Sequence, residues 1–183
     1  MAKVAEGDEA AFQELIEFHQ SAVIGTVAKM LGTASEAEDV AQMVFIRVWK
    51  SAARYQPTAK FTTWLFTITR NLVFNEMRRR KRRKETSIEE GEENFHVTIA
   101  DDPSRRPDAE ALEGELARKI DEAIQALPEK QRMAVILRRF ENAPYEEIGE
   151  ILDLSLPAVK SLLFRARAQL RENLQPYLDE RKG

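Results

Sequence analysis

Cysteine is absent from this chain of 183 residues, which also contains only two histidines and seven glycines. Without cysteine the chain can form neither a disulfide nor a thiolate metal site, which fits a reducing cytosol. His19 and His96 do not stand in a metal-binding or catalytic spacing, and neither a glycine-rich phosphate loop nor a GxSxG elbow is present. We therefore expect no catalytic residue, no metal and no cofactor, and an enzyme is the weaker interpretation.

Long apolar runs are also missing. No run approaches the roughly 18 to 20 apolar residues that a helix needs to cross a bilayer. The N-terminal stretch MAKVAEGDEAAF lacks the apolar segment of a signal peptide. We therefore expect a cytoplasmic protein with no membrane insertion. The apolar content of 43% is enough for a hydrophobic core.

Charge is distributed unevenly along the chain. The total is 28 Lys and Arg against 31 Asp and Glu, a net charge of -3. Residues 61–84 hold eight Lys and Arg against one Glu, whereas residues 85–116 hold two against eleven. An acidic total argues against a protein that coats nucleic acid indiscriminately. It permits a protein that contacts nucleic acid through a local basic patch.

The apolar residues follow helical periods and nowhere a convincing strand alternation. Asp8 is placed to cap a first helix. Ser35 and Glu38 have the spacing of a capping box, which predicts the start of a second helix. A third helix is predicted from about Thr62 into the seven consecutive cations of Arg78–Lys84. The predicted fold class is all-α.

The acidic stretch divides the chain into two helix-rich blocks. It mixes Glu, Asp, Ser and Pro without a sustained period, which predicts a flexible linker with one short extended piece at FHVTI. An acidic surface loop inside a single domain is the alternative. The predicted organisation is a helical domain over residues 1–84, an acidic linker over 85–112 and a second small helical domain over 113–183.

The second block contains a helix-turn-helix pattern in YEEIGEILDLSLPAVKSLLFRARAQL. A helix-turn-helix needs apolar residues where its helices cross and a small residue where the backbones approach. Gly149 is that small residue, and Asp153 stands at the turn, where it can adopt the left-handed conformation. The predicted packing set is Ile148, Leu152, Leu154, Val159 and Leu162.

The second helix of this motif presents an unusual outer face. Ser161, Phe164 and Arg165 face outward, with Lys160 and Arg167 on the flanks. Cations suit phosphates and base edges, and an aromatic ring suits thymine methyl groups or sugars. The pattern favours a DNA-reading helix over the alternative, an ordinary helical hairpin with a solvated face.

The basic run has two interpretations. Cations near a helix end favour the helix dipole, and such runs are often solvated faces or localisation signals. The same helix and its approach, however, carry aromatic and amide side chains that suit unpaired bases. These are Trp64, Phe66, Asn71, Phe74 and Asn75.

Taken together, these segments resemble the extracytoplasmic-function (ECF) sigma factors, a class of bacterial RNA polymerase specificity subunits. EAEDVAQMVFIRVWKSAARY and FTTWLFTITRNLVFNEMRRRKRR resemble sigma region 2. LPEKQRMAVILRRFENAPYEEIGEILDLSLPAVKSLLFRARAQLRENL resembles sigma region 4. The resemblance implies a region 2 helical bundle, a region 4 helix-turn-helix and an acidic linker that follows the RNA path of the polymerase.

The resemblance also implies roles at matching positions. Docking on the core polymerase is implied for Asp39, Gln42, Phe45 and Ile46. Recognition and melting of the -10 element are implied for Tyr55 and Asn71, which would line a pocket for a flipped base, and for Asn75, Arg78, Arg79, Arg80, Arg82 and Arg83. Recognition of the -35 element is implied for Arg138, Lys160, Ser161, Phe164 and Arg165. The implied partners are core RNA polymerase and promoter DNA, and an anti-sigma factor is a further candidate because such partners are frequent in the family.

Two positions depart from the family pattern. Leu162 stands where some members place another Arg, and Pro157 stands where Gly is common, so the preferred -35 sequence does not follow from the resemblance. No C-terminal extension is recognisable, so a fused sensory domain is not expected. The main alternative function is a stand-alone helix-turn-helix regulator that binds duplex DNA without polymerase. A helical adaptor that binds only protein is a third interpretation, against which the outer face of the second motif helix weighs.

Overall fold

The structure, a computed structural model, describes residues 1–89 and 109–180. Within these ranges every regular element is helical, and the all-α prediction is confirmed. The helices are α1 (Ala2–Ala5), α2 (Glu9–Leu31), α3 (Ala37–Ser51), α4 (Phe61–Glu89), α5 (Ala109–Gln125), α6 (Glu129–Arg139), α7 (Tyr145–Leu152) and α8 (Leu156–Glu180), with a short 3-10 helix (Ala52–Arg54) after α3. The extended piece predicted at FHVTI, and His96 with it, lie outside the described residues.

The N-terminal half is a bundle of α2, α3 and α4. Its fully buried side chains include Val23, Val27, Met30, Val44, Val48 and Leu65. The predicted cap of α2 is confirmed, because Asp8 Oδ1 accepts a hydrogen bond of 2.9 Å from the Ala11 backbone N–H. Helix α4 begins at Phe61, one residue before the predicted start, and continues through the basic run.

The capping box predicted at the start of α3 is wrong. Helix α3 begins at Ala37 after Glu36, which has helical backbone angles and makes no capping hydrogen bond through its side chain. The Ser35 hydroxyl oxygen instead lies 3.2 Å from that of Thr33. The spacing of Ser and Glu was suitable, but the chain enters the helix without the extended N-cap backbone that a capping box requires.

The C-terminal half consists of α5 to α8 around a second set of buried apolar side chains. These include Met133, Ile136, Leu137, Ile148, Val159, Leu163 and Ala166. Pro128 occupies the N-cap of α6, directly before the first helical turn, with φ -53° and ψ 144°. Its missing N–H is compatible with that position because helix-start N–H groups lack intrahelical partners.

The two halves pack against each other. Helix α2 contacts α5 and α6, and α4 contacts α7. Arg132 Nη1 donates hydrogen bonds to Met30 O at 2.7 Å and to Gln125 Oε1 at 2.8 Å, and Gln125 Nε2 donates to Lys29 O. Gly32 ends α2 at φ 72°, and a Cβ there would lie 2.9 Å from Gln125 Oε1. These contacts between remote segments hold the structure in a closed arrangement.

Glu141 provides a pH-dependent contact between the halves. Thr26 Oγ1 donates a 3.2 Å hydrogen bond to Glu141 Oε1, and burial raises the pKa of the Glu141 carboxyl group although the hydrogen bond partly opposes this. Because the folded pKa is raised, ionisation costs stability above the unfolded value of roughly 4.3, and the cost is relieved as pH falls through the folded pKa. We therefore expect the wild type to gain stability relative to Glu141→Gln as the pH falls from neutral towards roughly 4.3. Urea unfolding of both proteins across this range measures the effect, and parallel pH profiles would contradict it.

Candidate nucleic-acid interface

The helix-turn-helix forms as predicted from α7 and α8. Asp153 ends α7 in the left-handed conformation (φ 54°, ψ 57°), and the Leu154 N–H donates to Gly149 O at 2.9 Å, which closes the turn. Of the predicted packing set, Ile148, Leu152, Val159 and Leu162 are buried and Leu154 is partly buried against the core. The turn therefore fixes α8 relative to α7, with an apolar seam between them.

Gly149 is required by the close approach of this turn. A Cβ on Gly149 would lie 2.8 Å from the Leu154 carbonyl oxygen, a backbone atom that cannot move without opening the turn. We expect Gly149→Ala to lower the free energy of unfolding by about 1–3 kcal/mol, as overpacking typically does. The matched control is Gly25→Ala in α2, where the added methyl group meets open space and should not destabilise. Equal stability of the two variants in urea unfolding would show that the close approach carries no strain.

The outer face of α8 is free to bind. Lys160, Ser161, Phe164 and Arg165 are exposed, and within the described part of the chain their side chains make no hydrogen bond, ion pair or ring contact. Phe164 is 70% exposed and places an aromatic ring among these polar and cationic side chains. The opposite face of the helix carries Val159, Leu163 and Ala166 in the core.

Arg138, the remaining residue of the predicted -35 set, lies at the end of α6. Its Nη1 donates to Ala143 O at 3.1 Å, and its guanidinium carbon lies 5.4 Å from the centre of the Tyr145 ring. The side chain therefore supports the α6–α7 turn, although it remains exposed and retains further N–H donors. The structure does not place it on the same helix as the other four residues.

Helix α4 gathers four of the eight predicted -10 residues on one exposed stripe. Asn71, Asn75, Arg78 and Arg82 are spaced by four, three and four residues, so they share one face of the helix, and all four are exposed. Arg70 Nη2 donates to Asn71 Oδ1 at 2.6 Å, and Arg78 Nη2 donates to Asn75 Oδ1 at 2.5 Å. These bonds use the amide oxygens and leave both amide NH₂ groups available as donors.

The basic run is divided between two faces. Arg80 follows Val73 and Met77 on the inner side of α4, where its Nη1 donates to Leu31 O at 3.1 Å and its Nη2 donates to Glu36 Oε2 at 2.5 Å. It thereby joins α4 to the turn between α2 and α3. Within the described part of the chain, Lys81, Arg82, Arg83 and Lys84 are exposed and without side-chain partners.

Arg79 is exposed but holds a local ion pair. Its Nε lies 2.8 Å from Glu76 Oε2, and the hydrogen bond from Arg79 is the main reason why the pKa of the Glu76 carboxyl group lies below its ordinary value. The side chain of Arg79 is 53% exposed and that of Glu76 is 12% exposed, so solvent reaches the pair from the Arg79 side. Arg79 therefore remains available to a phosphate.

Tyr55 lies in a group of aromatic rings at the start of α4. Its ring centre is 4.9 Å from that of Trp64 and 6.1 Å from that of Phe61. Asn71 follows Trp64 by seven residues, two turns along the same face, so the Tyr55–Trp64 pair and the exposed stripe are continuous. Phe66 is buried in the core and is not part of this surface.

Helix α3 presents a second exposed face. Asp39, Gln42 and Ile46 are exposed there, with Ile46 at 45%, as the docking role implied by the resemblance requires. Phe45, assigned to the same contact, is only 6% exposed and forms part of the wall of a groove between α2 and α3. Met43, 53% exposed, was not singled out from the sequence, although it follows directly after Gln42 on the apolar edge of this face.

Comparisons with known proteins agree with this geometry. The family models Sigma-70 region 2 and Sigma-70, region 4 match residues 15–83 and 117–170. The RNA polymerase sigma-H factor of Pseudomonas aeruginosa is 33% identical over 180 residues, covering 97% of this chain and 93% of the relative. The ECF RNA polymerase sigma factor SigW of Bacillus subtilis is 31% identical over 177 residues, covering 94% of each chain.

The chain belongs to the ECF sigma factors. Its region 2 match contains α3 and the exposed stripe of α4, and its region 4 match contains the outer face of α8. The sigma factor binds core RNA polymerase and promoter DNA and directs transcription initiation. The family is known for non-catalytic initiation factors. A stand-alone regulator would leave the region 2 half of the chain without a function.

A solved structure resembles this sigma factor as a whole. The sigma factor RpoE of Bartonella quintana, determined in complex with the anti-sigma factor NepR, superposes with a TM-score of 0.71 at 25% identity. The superposition covers 90% of this chain and 97% of that one. Among the described helices of the sigma factor, none is long and apolar enough to span a membrane.

Proposed function

We propose that this sigma factor separates its three tasks onto three surfaces. Helix α3 docks on the core polymerase, the Tyr55 ring group with the exposed stripe of α4 takes the -10 element, and the outer face of α8 reads the -35 element. The corresponding domains are residues 1–84 and 113–183, joined by the acidic segment 85–112. The observation that carries the proposal is the continuity of one α4 face from aromatic rings through amides to arginines.

These three kinds of side chain suit the three parts of a melted promoter strand, namely the faces of unpaired bases, the base edges and the backbone phosphates. Aromatic rings stack on unpaired bases, and amide groups donate to base edges. Arginines neutralise the backbone phosphates beyond the melted base. Tyr55 and Asn71 are thus proposed to hold a flipped base, whereas Asn75, Arg78, Arg79, Arg82 and Arg83 contact the flanking strand. Arg80 stays in the proposed set only as the residue that fixes α4 in place, since its guanidinium already binds Leu31 O and Glu36.

The outer face of α8 suits the major groove. Arg165 is proposed to contact a base edge, Lys160 and Ser161 the backbone, and Phe164 a thymine methyl group or a sugar. Arg138 approaches the same element from the end of α6, with the donors that its bond to Ala143 leaves free. Buried Leu162 supports the helix from behind and does not read DNA.

The α3 face suits a protein partner. Ile46 and Met43 expose apolar surface beside the polar groups of Asp39 and Gln42, a combination typical of an interface in which an apolar centre is bordered by polar side chains. Phe45 is proposed to act as the buried support of this surface. The charge of the chain fits this arrangement, because a net charge of -3 limits binding to free DNA and makes the polymerase a required partner.

Two substitutions on α3 test the docking surface. We expect Gln42→Arg and Ile46→Arg to weaken core polymerase binding by tenfold or more, because each places an unpaired charge at an interface. Folding should survive, since neither side chain lies on the buried Val44–Val48 stripe. Titration of labelled core polymerase with each variant measures the loss, with Lys130→Gln at the exposed start of α6, away from this surface, as the control. Unchanged binding by both Arg variants would remove α3 from the proposal.

An anti-sigma factor is the proposed regulatory partner. The Bartonella quintana sigma factor was determined in complex with the anti-sigma factor NepR, and this chain superposes on it over both halves. The closed contact between α2 and α5–α6 is therefore compatible with a form held by such a partner. We further propose that the chain catalyses no reaction itself and that it acts in the cytoplasm, where its polymerase partner is found.

A further inference from the structure

The most exposed large apolar side chain of the described residues is Phe18, which is 82% exposed on α2. Phe12 and Ile16 of the same helix line the groove beside α3. At 100° per residue, Phe18 lies about 200° from Ile16 and about 240° from Phe12, on the other side of the helix from that groove. Phe18 is therefore not part of the proposed polymerase surface.

Phe18 is instead the outer end of a connected series of rings. Its ring centre lies 4.8 Å from that of His19, and the His19 ring lies 5.1 Å from that of Phe61. Phe61 in turn contacts Tyr55 and Trp64, with ring centres 6.1 and 5.9 Å away. Burial lowers the pKa of the His19 imidazole, so the ring is neutral near pH 7 and acts as an aromatic spacer. The exposed Phe18 is thus continuous with the proposed base pocket.

A cation lies at the same place. Lys60 directly precedes Phe61 and its side chain is 69% exposed. Its ammonium group forms an ion pair with Glu147 of α7, a contact that exists only while the two halves are closed. Release of α7 from α4 would leave Lys60 free beside the ring series.

We propose that Phe18 and Lys60 form a second single-strand subsite next to the Tyr55 pocket. Phe18 stacks on an unpaired base that neighbours the flipped base, and Lys60 contacts a phosphate of the same strand. This inference rests on the proposed -10 function of Tyr55 and Asn71 and extends it by one nucleotide. An exposed ring, a neighbouring cation and continuity with a base pocket are the features by which proteins hold unpaired strands. A single exposed ring is too small for a stable protein interface, in which each partner buries roughly 800 Å², so an unpaired base is the better occupant.

The test uses holoenzyme and a fork-junction promoter whose non-template strand is unpaired through and beyond the -10 element. We expect Phe18→Ala to weaken fork binding about tenfold and Phe18→Trp to retain it, as stacking on any aromatic ring predicts. Lys60→Gln should weaken binding and reduce its salt dependence by somewhat less than about one unit. The matched control is Leu178→Ala on α8, another exposed apolar side chain, which should bind as the wild type does.

An abasic scan of the unpaired strand locates the contact. In the wild type, removal of the base next to the flipped base should weaken binding, and in Phe18→Ala that removal should have no further effect. Asn71→Ala serves as the reference for the pocket itself. If Asn71→Ala weakens fork binding and Phe18→Ala does not, the second subsite is refuted and the pocket remains. If neither variant weakens fork binding, both the second subsite and the -10 proposal fail. If Phe18→Ala loses core polymerase binding, the ring makes a protein contact and the inference is overturned.

Discussion

Replacing Arg78, Arg79 and Arg82 with Gln is expected to flatten the salt dependence of open-complex formation by up to about two units in the slope of log affinity against log salt. Each neutralised phosphate contributes about 0.7 to 0.9 to that slope, so three contacts account for the change. Arg78 and Arg82 lie on the exposed stripe of α4, and the exposed side chain of Arg79 pairs only with Glu76 one turn earlier. Holoenzyme titrated on one promoter at several salt concentrations provides the measurement.

Two further variants make this result specific. Arg118→Gln combined with Lys130→Gln removes exposed cations from α5 and α6 and should leave the slope unchanged. Asn71→Ala should impair melting and -10 discrimination while the slope stays nearly intact, because it removes an uncharged donor. A triple variant with the wild-type slope would reduce the exposed part of the basic run to a solvated helix end.

Substitution of Arg165 is expected to change the sequence preference of the sigma factor in the -35 element. Arg165→Ala should cost roughly 1–3 kcal/mol on the preferred -35 sequence and relax the preference at the contacted position, as expected for a base-reading Arg. The side chain is exposed on α8 and makes no hydrogen bond, ion pair or ring contact within the described part of the chain, so its removal should not affect folding. Holoenzyme binding to a panel of promoters with single changes in the -35 element measures both effects.

Lys160→Ala is the comparison for that panel. Lys160 lies on the same exposed side of α8 but is proposed to contact phosphate, so its loss should weaken binding about equally for all sequences. Arg138 is less suitable for this purpose, because its bond to Ala143 O makes Arg138→Ala a change of the α6–α7 turn as well. Identical profiles for Arg165→Ala and Lys160→Ala would contradict the division between reading and anchoring.

Local chemistry explains why much of this could be predicted from the sequence. Asp8 caps α2 and Asp153 adopts the left-handed turn because each property depends on a few adjacent residues. The inner and outer faces of α8 follow directly from helical spacing of apolar side chains. The sequence points to Gly149 because the crossing of the two helices needs a small residue. A Cβ atom at this position would lie only 2.8 Å from Leu154 O, which confirms that need.

The remaining features depend on contacts between distant parts of the chain. Helical spacing from Val73 and Met77 puts Arg80 on the inner side of α4, but only the fold shows that its hydrogen bonds go to Leu31 O and Glu36. The burial of Phe45 follows from the packing of α3 on α2 and has no local signature. The bond of Arg132 to Met30 O joins residues 102 positions apart, so the closed arrangement of the two halves could not be predicted from spacing.

The unusual position of Phe18, by contrast, is visible in the sequence. It is an aromatic residue outside the apolar stripe of its own helix, and such a residue is either exposed or bound by something else. The function proposed for Phe18 depends on the rings of His19 and Phe61, which α2 and α4 bring together. Sequence periodicity could identify the outlier, whereas only the fold supplies its neighbours.

Runoff transcription tests the central claim most directly. Core RNA polymerase is mixed with genomic DNA fragments, with and without this sigma factor, and the transcript start sites are mapped. We expect discrete starts only when both proteins are present, preceded by shared -10 and -35 elements and lost in Ile46→Arg. Absence of specific starts, together with tight binding of the isolated protein to duplex DNA, would contradict the account and identify the chain as a regulator that acts without polymerase.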